Sequence, residues 1–191
     1  MGDRATEIAI VMVEDGKVVA RFQSLMNAGV RIPAFTDQYT GISNEMIRTA
    51  PPAADVMVQA LRFVGGAPLV AHNTCFDKRF WSSELERLGP DKKQDHSFAC
   101  TMLLSRRLYP QAGSYRLQSP ASFHALPPAD RAHLAMAHAE VAAALLSRIR
   151  EDIQREYQVD AAPHDLLVKL RRTQRKALPK AIQAYFEATT S

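Results

Sequence analysis

A β-branched, almost uninterrupted apolar run occupies residues 6–14 (TEIAIVMVE) and leads into Asp15-Gly16. That dipeptide is a strong hairpin signal, so residues 18–25 (VVARFQSL) are predicted as the returning strand. Gly29, Pro33, Gly41, Pro51 and Pro52 punctuate residues 27–52, which read as loop-rich. Residues 53–64 then set Val56, Val58, Ala60, Leu61 and Val64 on an amphipathic helical pattern that Gly65-Gly66 ends. Residues 68–72 (PLVAH) suit a short buried strand. Residues 76–88 return to helical spacing, with Phe76, Phe80 and Leu88 on one face and Gly89-Pro90 as the stop. Residues 98–104 are ambiguous between a strand and a helix start, and residues 116–126 suit a short helix. Val141, Leu145, Ile149 and Ile153 mark a long helix over residues 132–157. Beyond Pro163, residues 164–186 read as a separate helical extension, kinked at Pro179. Strand alternating with helix predicts a layered α/β domain.

Composition narrows the setting. With 191 residues, 47% hydrophobic and 23% charged, the chain suits one core-bearing domain with an appendage. The predicted division is residues 1–157 for the domain and 158–191 for a basic helical extension. No apolar stretch approaches the roughly 18 residues of a membrane span. Nor does the start resemble a signal peptide, since Asp3 and Glu7 flank its apolar run. Cys75 and Cys100 sit in no metal or redox motif, so a reduced, cytoplasmic setting is expected. The net charge of +4 comes wholly from residues 161–191, where Lys169, Arg171, Arg172, Arg175, Lys176 and Lys180 face Asp165 and Glu187. Such a tail can neutralise nucleic-acid phosphates, or it can be a solvated helix face.

Three local features offer chemistry. Asn73 to Asp77 (NTCFD) lies where an apolar strand gives way to a helix, and ligands gather at the carboxyl ends of strands in open α/β sheets. An Asp in a first helical turn also simply caps free N–H groups and complements the helix dipole. His133 begins the long helix; it could be a general base near neutral pH, or a structural histidine. Thr40-Gly41-Ile42 could be an ordinary turn. None of these decides anything alone.

Their order and spacing do. GDRATEIAIV at 2–11, TGIS at 40–43, LVAHNTCFDKRF at 69–80, FACTMLLSRRLYP at 98–110 and RAHLAMAHAEVAAALL at 131–146 together resemble the DEDDh exonuclease family. The proofreading epsilon subunit of bacterial DNA polymerase III is one of its members. The resemblance covers about residues 2–150. It implies a ribonuclease-H-like mixed sheet flanked by helices, and 3′→5′ hydrolysis of phosphodiester bonds at single-stranded 3′ ends of DNA. It further implies a polymerase as possible partner. Four carboxylates would hold two Mg or Mn ions that neutralise the phosphate and the leaving oxygen and lower the pKa of the attacking water. Carried over by residue, Asp77 matches a metal carboxylate and His133 the general base. Gly41 and Ile42 match the loop against the 3′-terminal nucleotide, and Asn73 lies beside the carboxylate as a substrate-orienting group. Arg171, Arg172, Arg175 and Lys176 make up the candidate nucleic-acid tail.

The chain also departs from the family. The strand bearing Asp-x-Glu, which precedes the GDR-like loop and is central in the sheet, is missing, and Glu7 belongs to the next strand. His138 stands where the last Asp is expected. Imidazole is a poor magnesium ligand and brings no negative charge. Glu140 lies about 200° further round the helix, and His133 and His138 about 140° apart. Three of four carboxylates are unaccounted for. The expectation is therefore an impaired or inactive exonuclease that does not bind its metals properly, with Met1 an internal methionine of a longer natural protein. A non-catalytic nucleic-acid-binding or polymerase-associated module is the alternative.

Overall fold

In the computed structural model of the chain, residues 4–33, 40–92, 95–117 and 134–189 are described. They fall into two units, one drawn from residues 1–67, 75–95 and 129–140, the other from residues 68–74, 96–128 and 141–191.

In the first unit, β1 (Glu7–Glu14) and β2 (Lys17–Leu25) pair antiparallel, from Glu7 opposite Leu25 to Glu14 opposite Lys17. Asp15 and Gly16 both take positive φ, 47° and 76°, as the predicted tight turn requires. β2 alternates exposed and half-buried residues, whereas β1 is half-buried on both faces up to Val13, as its continuous apolar run dictates. Past β2, Asn27 N–H donates to Pro51 O (2.8 Å) and Ala53 N–H to Asn27 O (2.9 Å). These bonds fix the start of α2 (Ala53–Val64), whose Ala53, Val56, Met57, Ala60 and Val64 are buried at helical spacing. Its bounds are those the sequence predicts, and Gly65, at φ 55°, ends it.

The span 27–52 is loop-rich, with one short helix among its described residues. Within it lies α1 (Asn44–Thr49), capped by Ser43, whose Oγ accepts from Met46 N–H at 3.2 Å. Six residues are too few to show a helical period, so only the cap could have announced it. Its buried Ile47 joins Ile32 and Ile42 in a small cluster. From Cys75 onward, α3 (Thr74–Leu88) belongs to this unit and buries Trp81, Glu84 and Leu85.

In the second unit, β3 (Leu69–Ala71) pairs in parallel with β4 (Phe98–Cys100), Leu69 opposite Phe98 and Ala71 opposite Cys100. The ambiguous stretch 98–104 turns out to hold both elements, because the fully buried β4 runs directly into α4 (Thr101–Leu108). The long helix is α5 (Leu134–Tyr157); its Leu145, Ile149 and Ile153 form a core with Leu104 of α4. Leu166, Leu167 and Leu170 of α6 (His164–Leu170), and Leu178 and Ile182 of α7 (Leu178–Thr189), complete that core.

The extension is not one helix kinked at Pro179. It breaks earlier, over residues 171–174, and Pro179 is the second residue of α7, where its missing N–H costs nothing. Most of the short helix predicted over 116–126 lies outside the described residues. The described strands thus make one antiparallel and one parallel pair with helices in both units, which is the mixed α/β character read from the sequence.

Candidate functional site

Among the described residues, the first unit holds four of the predicted site residues, Gly41, Ile42, Asp77 and His138. Gly41 sits at φ +73° with nothing within 4 Å of where a Cβ would be, so glycine is needed there for its backbone and not for space. The next residue, Ile42, donates its N–H to Thr40 Oγ1 at 3.2 Å and is 6% exposed, packed into the cluster with Ile32 and Ile47. This loop is therefore anchored from within.

Asp77 lies in the first turn of α3 and is exposed as a residue. Even so, burial of its carboxyl raises the pKa from 3.8 to about 6, opposed by a hydrogen bond from its own backbone. Beside it, Phe76 is 55% exposed and meets Phe80 at 4.7 Å between ring centroids, with the Arg79 guanidinium over both rings. His138, half-buried on α5, has its pKa lowered by desolvation, so its imidazole is neutral at pH 7. Glu140 is engaged by the Arg21 Nε of β2 at 2.7 Å.

The pKa of Asp77 sets a pH test. A carboxyl with a raised folded pKa favours the fold fully below its unfolded value, and loses that contribution as pH rises through about 6. Asp77→Asn should therefore match the parent near pH 4 and melt higher at pH 7.5. Discounted for exposure, the gain is about 1 kcal/mol, or about 2–4 °C. Melting curves at both pH values check this; a gap that does not change with pH would refute it.

In the second unit, Asn73 turns the chain from β3 into α3 at φ 69°, a left-handed conformation that asparagine tolerates. Next to it, Thr74 is buried and donates Oγ1 to Ala99 O or Ala71 O. His72 lies between Thr101 Oγ1 (3.0 Å) and Tyr115 O (2.8 Å); a carbonyl accepts only, so Nε2 carries a proton and donates to Tyr115 O. Burial pushes the Cys100 thiol up, but hydrogen bonds from Thr74, Leu103 and Asn73 outweigh it and hold its pKa below the usual value. The turn that presents Asn73 is thus fastened by His72, Thr74 and Cys100, none of which the sequence reading singled out. Thr74 stands within NTCFD and His72 next to it, whereas Cys100 lies 23 residues beyond Asp77 and is brought to it by the pairing of β3 with β4.

Of the tail, Arg172, Arg175 and Lys176 are exposed, the latter two on the 3₁₀ turn Arg175–Ala177, while Arg171 is half-buried at the end of α6. His133, the predicted general base, lies outside the described residues. Among the described residues, no three His, Cys, Asp or Glu side chains are grouped as they would be around a metal ion. One aspartate and a neutral imidazole do not fit a two-magnesium cage, which needs hard anionic oxygens. Among the described residues, no helix is long and apolar enough to cross a membrane.

The Exonuclease family pattern RNase_T matches residues 1–146. The chain is 33% identical over 171 residues to the 3′-5′ exonuclease DinG of Bacillus subtilis (strain 168), covering 90% of this chain and 18% of that protein. It is 32% identical over 157 residues to the PolC-type DNA polymerase III of Latilactobacillus sakei subsp. sakei (strain 23K), covering 82% and 11% respectively. The chain thus spans less than a fifth of either curated relative. Among solved structures, Exonuclease X in complex with 5′-overhanging duplex DNA superposes with a TM-score of 0.65 at 26% identity, over 87% of this chain and 90% of that one. The nuclease domain of 3′hExo, a DEDDh family member bound to rAMP, shares the fold with a TM-score of 0.64 at 13% identity, over 84% and 86%. With its sequence matched to the family pattern over residues 1–146, most of its length, the chain belongs to the RNase_T exonuclease family.

Proposed function

We propose that this chain is a 3′→5′ exonuclease domain of the DNA polymerase III proofreading type, directed at single-stranded 3′ ends of DNA, with metal-dependent cleavage impaired in the chain as written. The observation that carries the reading is the family match over residues 1–146, which includes the turn bearing Asn73 and Asp77. DNA is preferred to RNA because Exonuclease X, at 26% identity, was solved on DNA, whereas the protein bound to rAMP shares 13%. The PolC-type relatives support a DNA polymerase as partner.

Within the site, Asp77 would contact a metal ion, Asn73 would orient the terminal nucleotide from its left-handed turn, and Gly41 and Ile42 would hold the loop against it. His133 would take the proton of the attacking water. Impairment rests on charge, because neutral His138 replaces a carboxylate and Asp77 is the one expected metal carboxylate identified in the chain. That substitution also favours the second reading, a DNA-binding module without turnover.

The test uses a 5′-labelled single-stranded oligodeoxynucleotide, with anisotropy read against salt and mononucleotide release read with magnesium and with manganese. The expected result is binding that weakens steeply with salt, and release with magnesium no faster than the metal-free blank. Brisk magnesium-dependent release that Asp77→Ala abolishes would overturn the impairment and leave the exonuclease reading standing. Binding without a salt slope would count against the DNA reading itself.

A further inference from the structure

We infer that Arg150, His164 and Arg171 form a phosphate-binding site in the second unit, away from the turn that carries Asn73. Five buried side-chain polar atoms among the described residues lack a hydrogen-bond partner, and three of them are Arg150 Nε, His164 Nδ1 and Arg171 Nε. Buried donors are rarely left unmade, because each forfeits its bonds to water. Two of the three belong to guanidinium groups, so the acceptor they call for is anionic.

The arrangement follows from the fold. His164 opens α6 with Nε2 at 3.2 Å from Ser97 Oγ, just before β4. Arg171 ends the same helix seven residues later; 700° of helix brings it back to within about 20° of the His164 face. Arg150 comes from α5. Both arginines stand near enough to His164 that they reinforce burial in lowering its pKa, Arg150 more than Arg171, while the Ser97 backbone and Asp165 oppose them. Asp165, exposed and accepting from Tyr185 OH at 2.9 Å, brings one carboxylate against two arginines. Burial also lowers the pKa of Arg150, so this guanidinium has given up hydration without gaining a partner at Nε. A tetrahedral phosphate offers several anionic oxygens to such donors, and guanidinium groups match it in geometry as well as charge.

The chemistry is that of a phosphate group, borne either by a nucleic-acid backbone or by a small phosphate ligand, and it does not require the exonuclease reading. The test uses the full chain and the variants Arg150→Gln, Arg171→Gln and, as a control with the same loss of charge, Arg62→Gln on the exposed face of α2. Melting temperature is measured in inorganic phosphate and pyrophosphate against chloride at matched ionic strength. Anisotropy of a labelled oligodeoxythymidylate is measured in parallel. The parent and Arg62→Gln should gain stability in phosphate, and the two site variants should lose that gain while melting in chloride no lower than the parent.

At least a tenfold loss of oligonucleotide affinity in the two site variants alone assigns the site to backbone phosphate. Unchanged oligonucleotide affinity with a lost phosphate shift assigns it to a small phosphate ligand. If phosphate does not stabilise the parent and oligonucleotide affinity is unchanged, or if the site variants keep the shift, the proposal is wrong. Should one variant fold poorly by circular dichroism, the other decides.

Discussion

Asp152→Ala should lower the melting temperature by about 5 °C. Asp152 lies on α5 at 5% exposure, inside the apolar face of Ile149 and Ile153. Its Oδ2 accepts from Tyr109 OH at 2.7 Å and from Arg148 Nε at 3.2 Å, and Oδ1 accepts from Arg155. The arginines are 42% and 67% exposed, so their pairing contributes little by itself. The cost comes from Tyr109. That residue is 7% exposed, and burial, reinforced by Asp152, raises the pKa of its hydroxyl and keeps it protonated. Without Asp152 the buried hydroxyl loses this acceptor, a penalty of about 1–3 kcal/mol. Tyr109→Phe should cost about 1–2 kcal/mol, since Asp152 keeps both arginines. In the double variant the two costs should fall short of their sum, because the orphaned hydroxyl has gone too. Strict additivity in denaturant titrations would show that the pair is not coupled.

This network marks the limit of what the sequence could tell. Val141, Leu145, Ile149 and Ile153 gave the helix and its buried face, because apolar spacing is a property of the chain itself. Asp152 lies on the same face but reads as a polar interruption, since its acceptor role depends on Tyr109, 43 residues away. Gly65 and the Asp15-Gly16 turn were legible for a similar local reason: their positive φ is a demand that few residue types meet. The helix at Asn44–Thr49 and the break at 171–174 were not. The first is too short to show a period, and in the second Pro179 drew attention from the place where α6 ends. At the site, motif order found the turn with Asn73 and Asp77, whereas the raised pKa of Asp77 depends on how the folded chain surrounds its carboxyl. The neutrality of His138 was half legible, since imidazole is weakly basic in any setting and burial only carries it further.

Arg4→Ala should cost about 2–4 kcal/mol and loosen α3, the helix that carries Asp77. Glu84 of α3 is 3% exposed, and Arg4 closes on it as a fork, Nε to Oε1 at 2.8 Å and the second nitrogen to Oε2 at 3.0 Å. The remaining guanidinium nitrogen donates to Ala28 O at 3.0 Å, so one side chain joins the chain before β1, the segment after β2, and α3. If Arg4 is removed, Glu84 keeps only the longer contact to Arg87, at 3.6 Å, among its ion pairs with described residues. Arg4→Lys should not rescue, because a single ammonium cannot make two parallel bonds to one carboxylate and reach Ala28 O as well. Glu84→Gln should cost less than Arg4→Ala, since a neutral amide is easier to bury than an unpaired carboxylate. Amide exchange should speed up across Cys75–Leu88 in Arg4→Ala more than in Leu69–Ala71, because the fork holds the body of α3 and not the β3 strand. If Arg4→Lys is as stable as the parent, or if exchange quickens equally in both places, then charge alone or general loosening accounts for the effect, and the fork does not position the helix that bears Asp77.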